Sequence, residues 1–185
     1  FLTALGEDGK RGFDVAIKEL GGKMAGKDIE VVYASSDATP DSALRAARKL
    51  IEQDNVDILI GPLSGDEGIA IKEYSKSHPD KTFVNGVASA MEATVVDPSP
   101  NFFRFNQDAA QWMAGVGEYV YNTKGYRKIA TLAEDYSFPY TQVYGLVMGF
   151  CKAGGEVTTR HWVPAGTKDF SSVIKKAKEL GGYPE

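Results

Sequence analysis

The sequence predicts an α/β fold in two lobes, each a parallel sheet with helices on both faces, and three observations carry that prediction. Ile58, Leu59 and Ile60 form an apolar run without polar alternation, as a strand buried on both faces of a parallel sheet requires. Strand-like and helix-like stretches alternate strictly through the first hundred residues, as a doubly wound sheet requires. After an irregular stretch at 85–101 the alternation begins again, so the second half repeats the first in architecture without repeating its sequence.

In chain order, 1–6 reads as a loop and 7–20 as a helix with Phe13, Ala16, Ile17 and Leu20 on one stripe, ended by Gly21-Gly22. A strand is expected at 29–33. Thr39 as N-cap, Pro40 at the first helical position and Asp41 in the first turn open a second helix, with Ala43, Leu44, Ala47, Leu50 and Ile51 on its apolar face. Strand 56–60, a helix at 66–77 with Ile69, Ala70, Glu73 and Tyr74 on one face, and strand 82–85 follow. The stretch 85–101, rich in small residues and ending in Asp97-Pro98-Ser99-Pro100, reads either as a functional loop or as a surface connection.

Residues 102–105 read as a short strand that leaves this sheet, which sets a lobe boundary: 1–104 form the first lobe and 105–185 the second. Asp108 caps a helix to about 123, with Trp112, Val116, Tyr119 and Val120 inward. Strand 128–133, a loop at 134–140, helix 142–153, strand 156–162 and helix 170–180 complete the chain, the last helix burying Phe170, Val173, Ile174, Ala177 and Leu180. The first helix lacks a parallel strand before it and the last lacks one after it. The chain is therefore expected to be a portion of a longer polypeptide.

Composition excludes several classes. A net charge of -4 over 185 residues, with no basic cluster longer than Lys175-Lys176, argues against nucleic acid. The single cysteine, Cys151, allows neither an internal disulfide nor a thiolate metal site. His78 and His161 have no neighbouring ligand pattern, so neither metal nor cofactor is expected. No apolar run reaches membrane-span length, and no signal peptide stands in the chain. The stretch 61–68 lacks both the lysine of a phosphate-binding loop and a nucleophile elbow, so hydrolase and nucleotidase chemistry have no signature.

What the stretch 56–68 does offer is a strand, a tight turn at Gly61-Pro62 and a helix start, which leaves unpaired backbone N–H groups at the carboxyl edge of a sheet. That is an anion-binding arrangement. Asp66 and Glu67 read most simply as first-turn acids that complement the helix dipole; facing a cleft, they would repel a carboxylate.

The runs ALGEDGKRGFDVAIKELGG, DATPDSALRAARKLIEQDNVDILIGPLSG, RFNQD and GTKDFSSVIKKAK resemble the periplasmic substrate-binding proteins of ABC importers, in the type I, branched-chain amino-acid-binding (Leu/Ile/Val-binding) group. The resemblance covers nearly the whole chain. It implies an extracytoplasmic, periplasmic protein, not an enzyme, that closes two lobes on a small carboxylate-bearing solute, an amino acid or aromatic acid, and delivers it to a membrane permease. It also implies the contacts. Ser64 and Gly65 would hold the carboxylate through backbone N–H and hydroxyl donors, and Val87 and Ser89 would supply a carbonyl and a hydroxyl to the head group. Phe138, with Tyr136 beside it, would cover the ligand from the second lobe, and Leu5, in the opening loop, would face the cleft. From the residues alone, Tyr136, Phe138 and Tyr140 remain either a packed loop or a recognition loop. A ligand-sensing domain of a receptor or regulator is the alternative with the same fold, and an α/β enzyme a third class without a visible catalytic set.

Overall fold

The computed structural model describes residues 3–179, and the expected contribution of Leu180 lies outside them. Contacts divide the chain into two compact units: residues up to Ala88 with Ala93–Asn106, and Ser89–Glu92 with the residues from Gln107 onward.

In the first unit, α1 spans Thr3–Glu19 and β1 (Lys23–Met24) and β2 (Lys27–Asp28) form a small antiparallel hairpin. The hairpin turns on Ala25 and Gly26, both left-handed (φ 49° and 79°), the backbone that a two-residue hairpin loop favours. Helix α1 begins four residues earlier than expected and buries none of its residues: Phe13 and Ile17 are half-buried, whereas Ala16 and Leu20 are exposed. Nothing lies within 4 Å of where a Cβ on Gly6, Gly9 or Gly12 would sit, so its glycine-bearing side opens to solvent. The expected strand at 29–33 joins no ladder. Ile29 and Val31 are half-buried, but no strand among the described residues pairs with them.

Helix α2 (Pro40–Arg48) starts as its sequence dictates, with the Thr39 hydroxyl accepting the Ser42 amide, and one turn of π-helix (Lys49–Gln53) continues it. Strands β3 (Ile58–Ile60), β4 (Thr82–Asn85) and β5 (Phe102–Arg104) form a parallel sheet in that order. Leu59, Phe83 and Phe102 stand in register as one buried row, and Ala43, Ala47, Ile51 and Ile71 pack over it to make the core. Residues 102–105 were expected to leave this sheet; instead Phe102 completes the row and holds β5 beside β4.

Helix α3 (Gly65–Ser75) buries Glu67, Gly68, Ile71, Lys72 and Ser75 most deeply, while Ile69 and Tyr74 of the expected 69, 70, 73, 74 face pack half-buried against the core. Polar groups hide the deeper face from a hydropathy pattern because each finds an internal partner. Lys72 Nζ donates to the carbonyls of Val96 (3.0 Å) and Asp97 (3.2 Å), and the Ser75 and Ser99 hydroxyls are 2.7 Å apart. A short helix, α4 (Glu92–Val95), interrupts the 85–101 stretch.

In the second unit the expected single helix at 108–123 is two, α5 (Ala109–Trp112) and α6 (Val116–Asn122), broken where Gly115 turns left-handed at φ 80°. Strands β6 (Lys128–Glu134) and β7 (Glu156–Val163) pair in parallel through the crossover helix α7 (Ser137–Lys152), and α8 (Ser171–Glu179) follows. Helix α7 begins five residues before the expected start. Its contacts with α5 and α6 run through glycines. A Cβ on Gly145 would stand 2.5 Å from the Ala110 carbonyl oxygen, and one on Gly117 would stand 2.3 Å from that of Leu146. Gly117 is therefore the buried residue of α6, while Trp112 and Tyr119, expected inward, are 47% and 49% exposed.

Candidate functional site

At the start of α3 the chain satisfies its own donors. The Ser64 amide donates to Glu67 Oε2 at 2.9 Å, the Glu67 amide donates to Ser64 Oγ at 3.3 Å, and the Ser64 hydroxyl donates to the Ala38 carbonyl at 3.1 Å. This is a reciprocal capping box. Glu67 is fully buried, and the Ser36 hydroxyl also donates to its carboxylate. Both Ser64 donors assigned to a ligand by resemblance are thus engaged inside the protein. Gly65, the first residue of α3, is buried beside them. Of the two first-turn acids, Glu67 supplies negative charge at the helix start, turned inward rather than toward solvent.

The loop after β4 is fixed through one carbonyl. Ala88 O accepts from Asn85 Nδ2 (2.6 Å), Arg104 Nη1 (3.0 Å) and Asn106 Nδ2 (3.3 Å), and Arg104 Nε reaches Thr94 Oγ1 at 3.1 Å. Val87, 43% exposed, has its carbonyl on Asn106 Nδ2 at 3.0 Å, and the Val87 and Ala88 amides meet the Pro62 carbonyl. Asn85 is 1% exposed and its Oδ1 has no protein partner among the described residues, which leaves a buried acceptor at the carboxyl end of β4.

Ser89, 2% exposed, belongs with the second unit: its carbonyl accepts the Ala109 amide at 2.9 Å, and two residues on, the Met91 amide meets Thr141 Oγ1 at 3.4 Å. Phe138 and Tyr136, expected in a loop, sit on the first turn of α7 and at its N-cap. Their ring centroids are 6.2 Å apart, and Phe138 meets the ring of Trp112 edge to face at 5.4 Å. Tyr140 turns away from this group, its hydroxyl on Asp135 and its ring against Trp162 at 4.6 Å. Leu5 lies inside α1, not in an opening loop, and is 54% exposed.

Residues that were not expected to contact a ligand therefore shape both regions: Asn85, with Arg104 and Asn106 of the RFNQD run, in one unit and Trp112 in the other. The Ser-x-x-Glu spacing of Ser64 and Glu67 was a legible capping signature, whereas Trp112 read as core because helical spacing placed it inward. A cavity of about 440 Å³ lies elsewhere in the second unit, lined by Leu132, Ala133, Val163, Phe170, Ile174 and Glu134, whose Oε1 accepts the Gly166 amide. Its walls lack the converging polar groups of a solute site. Among the described residues no group of three His, Cys, Asp or Glu could hold a metal, and no helix is long and apolar enough to cross a membrane.

The sequence profile of periplasmic binding proteins matches residues 2–181. The chain belongs to the periplasmic binding protein family. Its α/β architecture is the type I form, as the motif resemblance implied. A curated relative, Leu/Ile/Val-binding protein homolog 6 of Brucella abortus (strain 2308), is 25% identical over 177 residues, covering 95% of this chain and 44% of the relative. The solute-binding protein of an ABC transporter from R. palustris, solved in complex with benzoate, superposes with a TM-score of 0.87 at 24% identity, over 97% of this chain and 49% of that one. A second such protein, from Rhodopseudomonas palustris BisB5 in complex with 3,4-dihydroxy benzoic acid, gives a TM-score of 0.84 at 25% identity, over 96% and 48%. The chain spans about half the length of the relatives it matches. A solute-binding protein of an ABC transporter is thus among the solved structures that this periplasmic binding protein resembles at 25% identity.

Proposed function

We propose that the polypeptide carrying this chain is the extracytoplasmic solute-binding component of an ABC importer, which captures a small carboxylate-bearing solute and hands it to a membrane permease in the periplasm. The observation that carries the reading is the family match across residues 2–181. It is supported by a relative at 25% identity solved with an aromatic acid. We read the two compact units as portions of the two lobes. The ligand contacts we propose are Gly65 and Val87 in the first unit and Ser89, Tyr136 and Phe138 in the second, while Ser64 holds the α3 cap that shapes the loop.

Calorimetry on the polypeptide as its gene encodes it, against amino acids, aromatic acids and sugars, tests this function. Binding of an amino acid or aromatic acid is the expected result. Binding of a sugar alone, or turnover of the bound solute, overturns the reading.

A further inference from the structure

We propose that Trp112 is a specificity-determining ligand contact, which with Phe138 and Tyr136 forms an aromatic wall that selects a solute with a planar ring over one with an aliphatic body. The inference rests on the solute-binding reading above and narrows its substrate class to aromatic carboxylates.

Trp112 is held in place without being buried. Asp108 and Gln111 close a capping box around α5, with the Gln111 amide on Asp108 Oδ1 at 2.9 Å and the Asp108 amide on Gln111 Oε1 at 3.3 Å. Ala109 is fully buried, its amide on the Ser89 carbonyl, and the Ala110 backbone presses on Gly145 of α7 so closely that no Cβ fits between them. The left-handed Gly115 then ends the turn. The residue that this rigid frame presents is 47% exposed, while its neighbours Phe138 and Tyr136 are half-buried.

Trp112 and Phe138 meet at an interplanar angle of 76°, an edge-to-face pair in which one ring's face is not covered by the other. Phe138 continues the surface to Tyr136 at 35°. Trp112 is half exposed, on the same unit as Ser89 and in contact with Phe138, the aromatic residue that the family resemblance places over the ligand. A flat ring gains dispersion and quadrupole contact on such a wall that a puckered aliphatic body does not, which is worth about tenfold in affinity.

The test is calorimetry of benzoate and cyclohexanecarboxylate, matched in size and charge, on the full-length polypeptide and its Trp112→Ala and Trp112→Phe variants. Benzoate should bind the native protein the tighter of the two. Trp112→Ala should lower benzoate affinity about tenfold or more and cut its preference over cyclohexanecarboxylate, and Trp112→Phe should retain most of both. If Trp112→Ala does not fold, Trp112→Leu, which keeps apolar volume without a ring, is read the same way. Equal loss for both probes, or no loss, overturns the proposal and leaves the solute-binding reading intact. So does a native protein that binds leucine and neither probe. A native protein that binds no small carboxylate overturns both.

Discussion

Replacing Glu67 by alanine removes a fully buried carboxylate from the start of α3, and the consequence can be worked from its partners. The Ser64 amide loses its acceptor at 2.9 Å inside the protein, a buried donor left unsatisfied at a cost of about 1–3 kcal/mol. The helix also loses an acid at its positive end, worth about 0.3–1 kcal/mol. Ser36, the other donor, is exposed and turns to water at little cost. Glu67→Ala should therefore destabilise the first unit by roughly 1.5–4 kcal/mol. Glu67→Gln, which keeps an oxygen for the Ser64 amide, should cost about 1 kcal/mol. Urea unfolding gives the totals, and hydrogen exchange at the Ser64 and Glu67 amides localises the effect to the cap. If Glu67→Ala lies within about 0.5 kcal/mol of the native protein, or if Gln costs as much as Ala, the buried capping box is not what holds this turn.

Three further outcomes are expected. Gly145→Ala forces a methyl group 2.5 Å from the Ala110 oxygen and should destabilise the second unit by about 1–3 kcal/mol, whereas Gly9→Ala, in open space on α1, should stabilise by about 0.5–1 kcal/mol; thermal unfolding of both variants distinguishes packing from backbone entropy. Burial first, and then its hydrogen bond to Glu52, hold the Tyr74 phenol far above its ordinary 10.0. Because the folded protein keeps this proton longer than the unfolded chain does, stability should be constant below pH 10.0 from this group and fall as pH rises beyond it, a fall that Tyr74→Phe should lessen in urea titrations at alkaline pH. Ser89→Ala, if its hydroxyl meets a charged head group, should lower solute affinity roughly ten- to a hundredfold by calorimetry with unchanged unfolding, and unchanged affinity would move the contact elsewhere.

What the sequence disclosed and what it concealed divide along physical lines. Strands β3, β4, β6 and β7 and helix α2 were legible because local signals agreed, above all the Thr39-Pro40 start that the structure shows as a working cap. The expectation that β3 is buried on both faces fails: Leu59 is buried while Ile58 and Ile60 are exposed. The most deeply buried face of α3 was not legible because Glu67, Lys72 and Ser75 are polar, yet buried, and only tertiary partners make that possible. The break between α5 and α6 and the inward turn of Gly117 depend on how closely α7 approaches, a distance that helical periodicity does not encode. The same limit applied to the site. Ser64, Phe138 and Tyr136 could be singled out by motif, but the engagement of the Ser64 donors by Glu67 and the exposure of Trp112 beside Phe138 are facts of packing.

Mass spectrometry of the polypeptide purified under non-denaturing conditions, followed by release and identification of whatever small molecule accompanies it, tests solute capture most directly. The account predicts one carboxylate-bearing organic solute per chain, released unchanged. A sugar, or a product formed from the bound molecule during incubation, would contradict it.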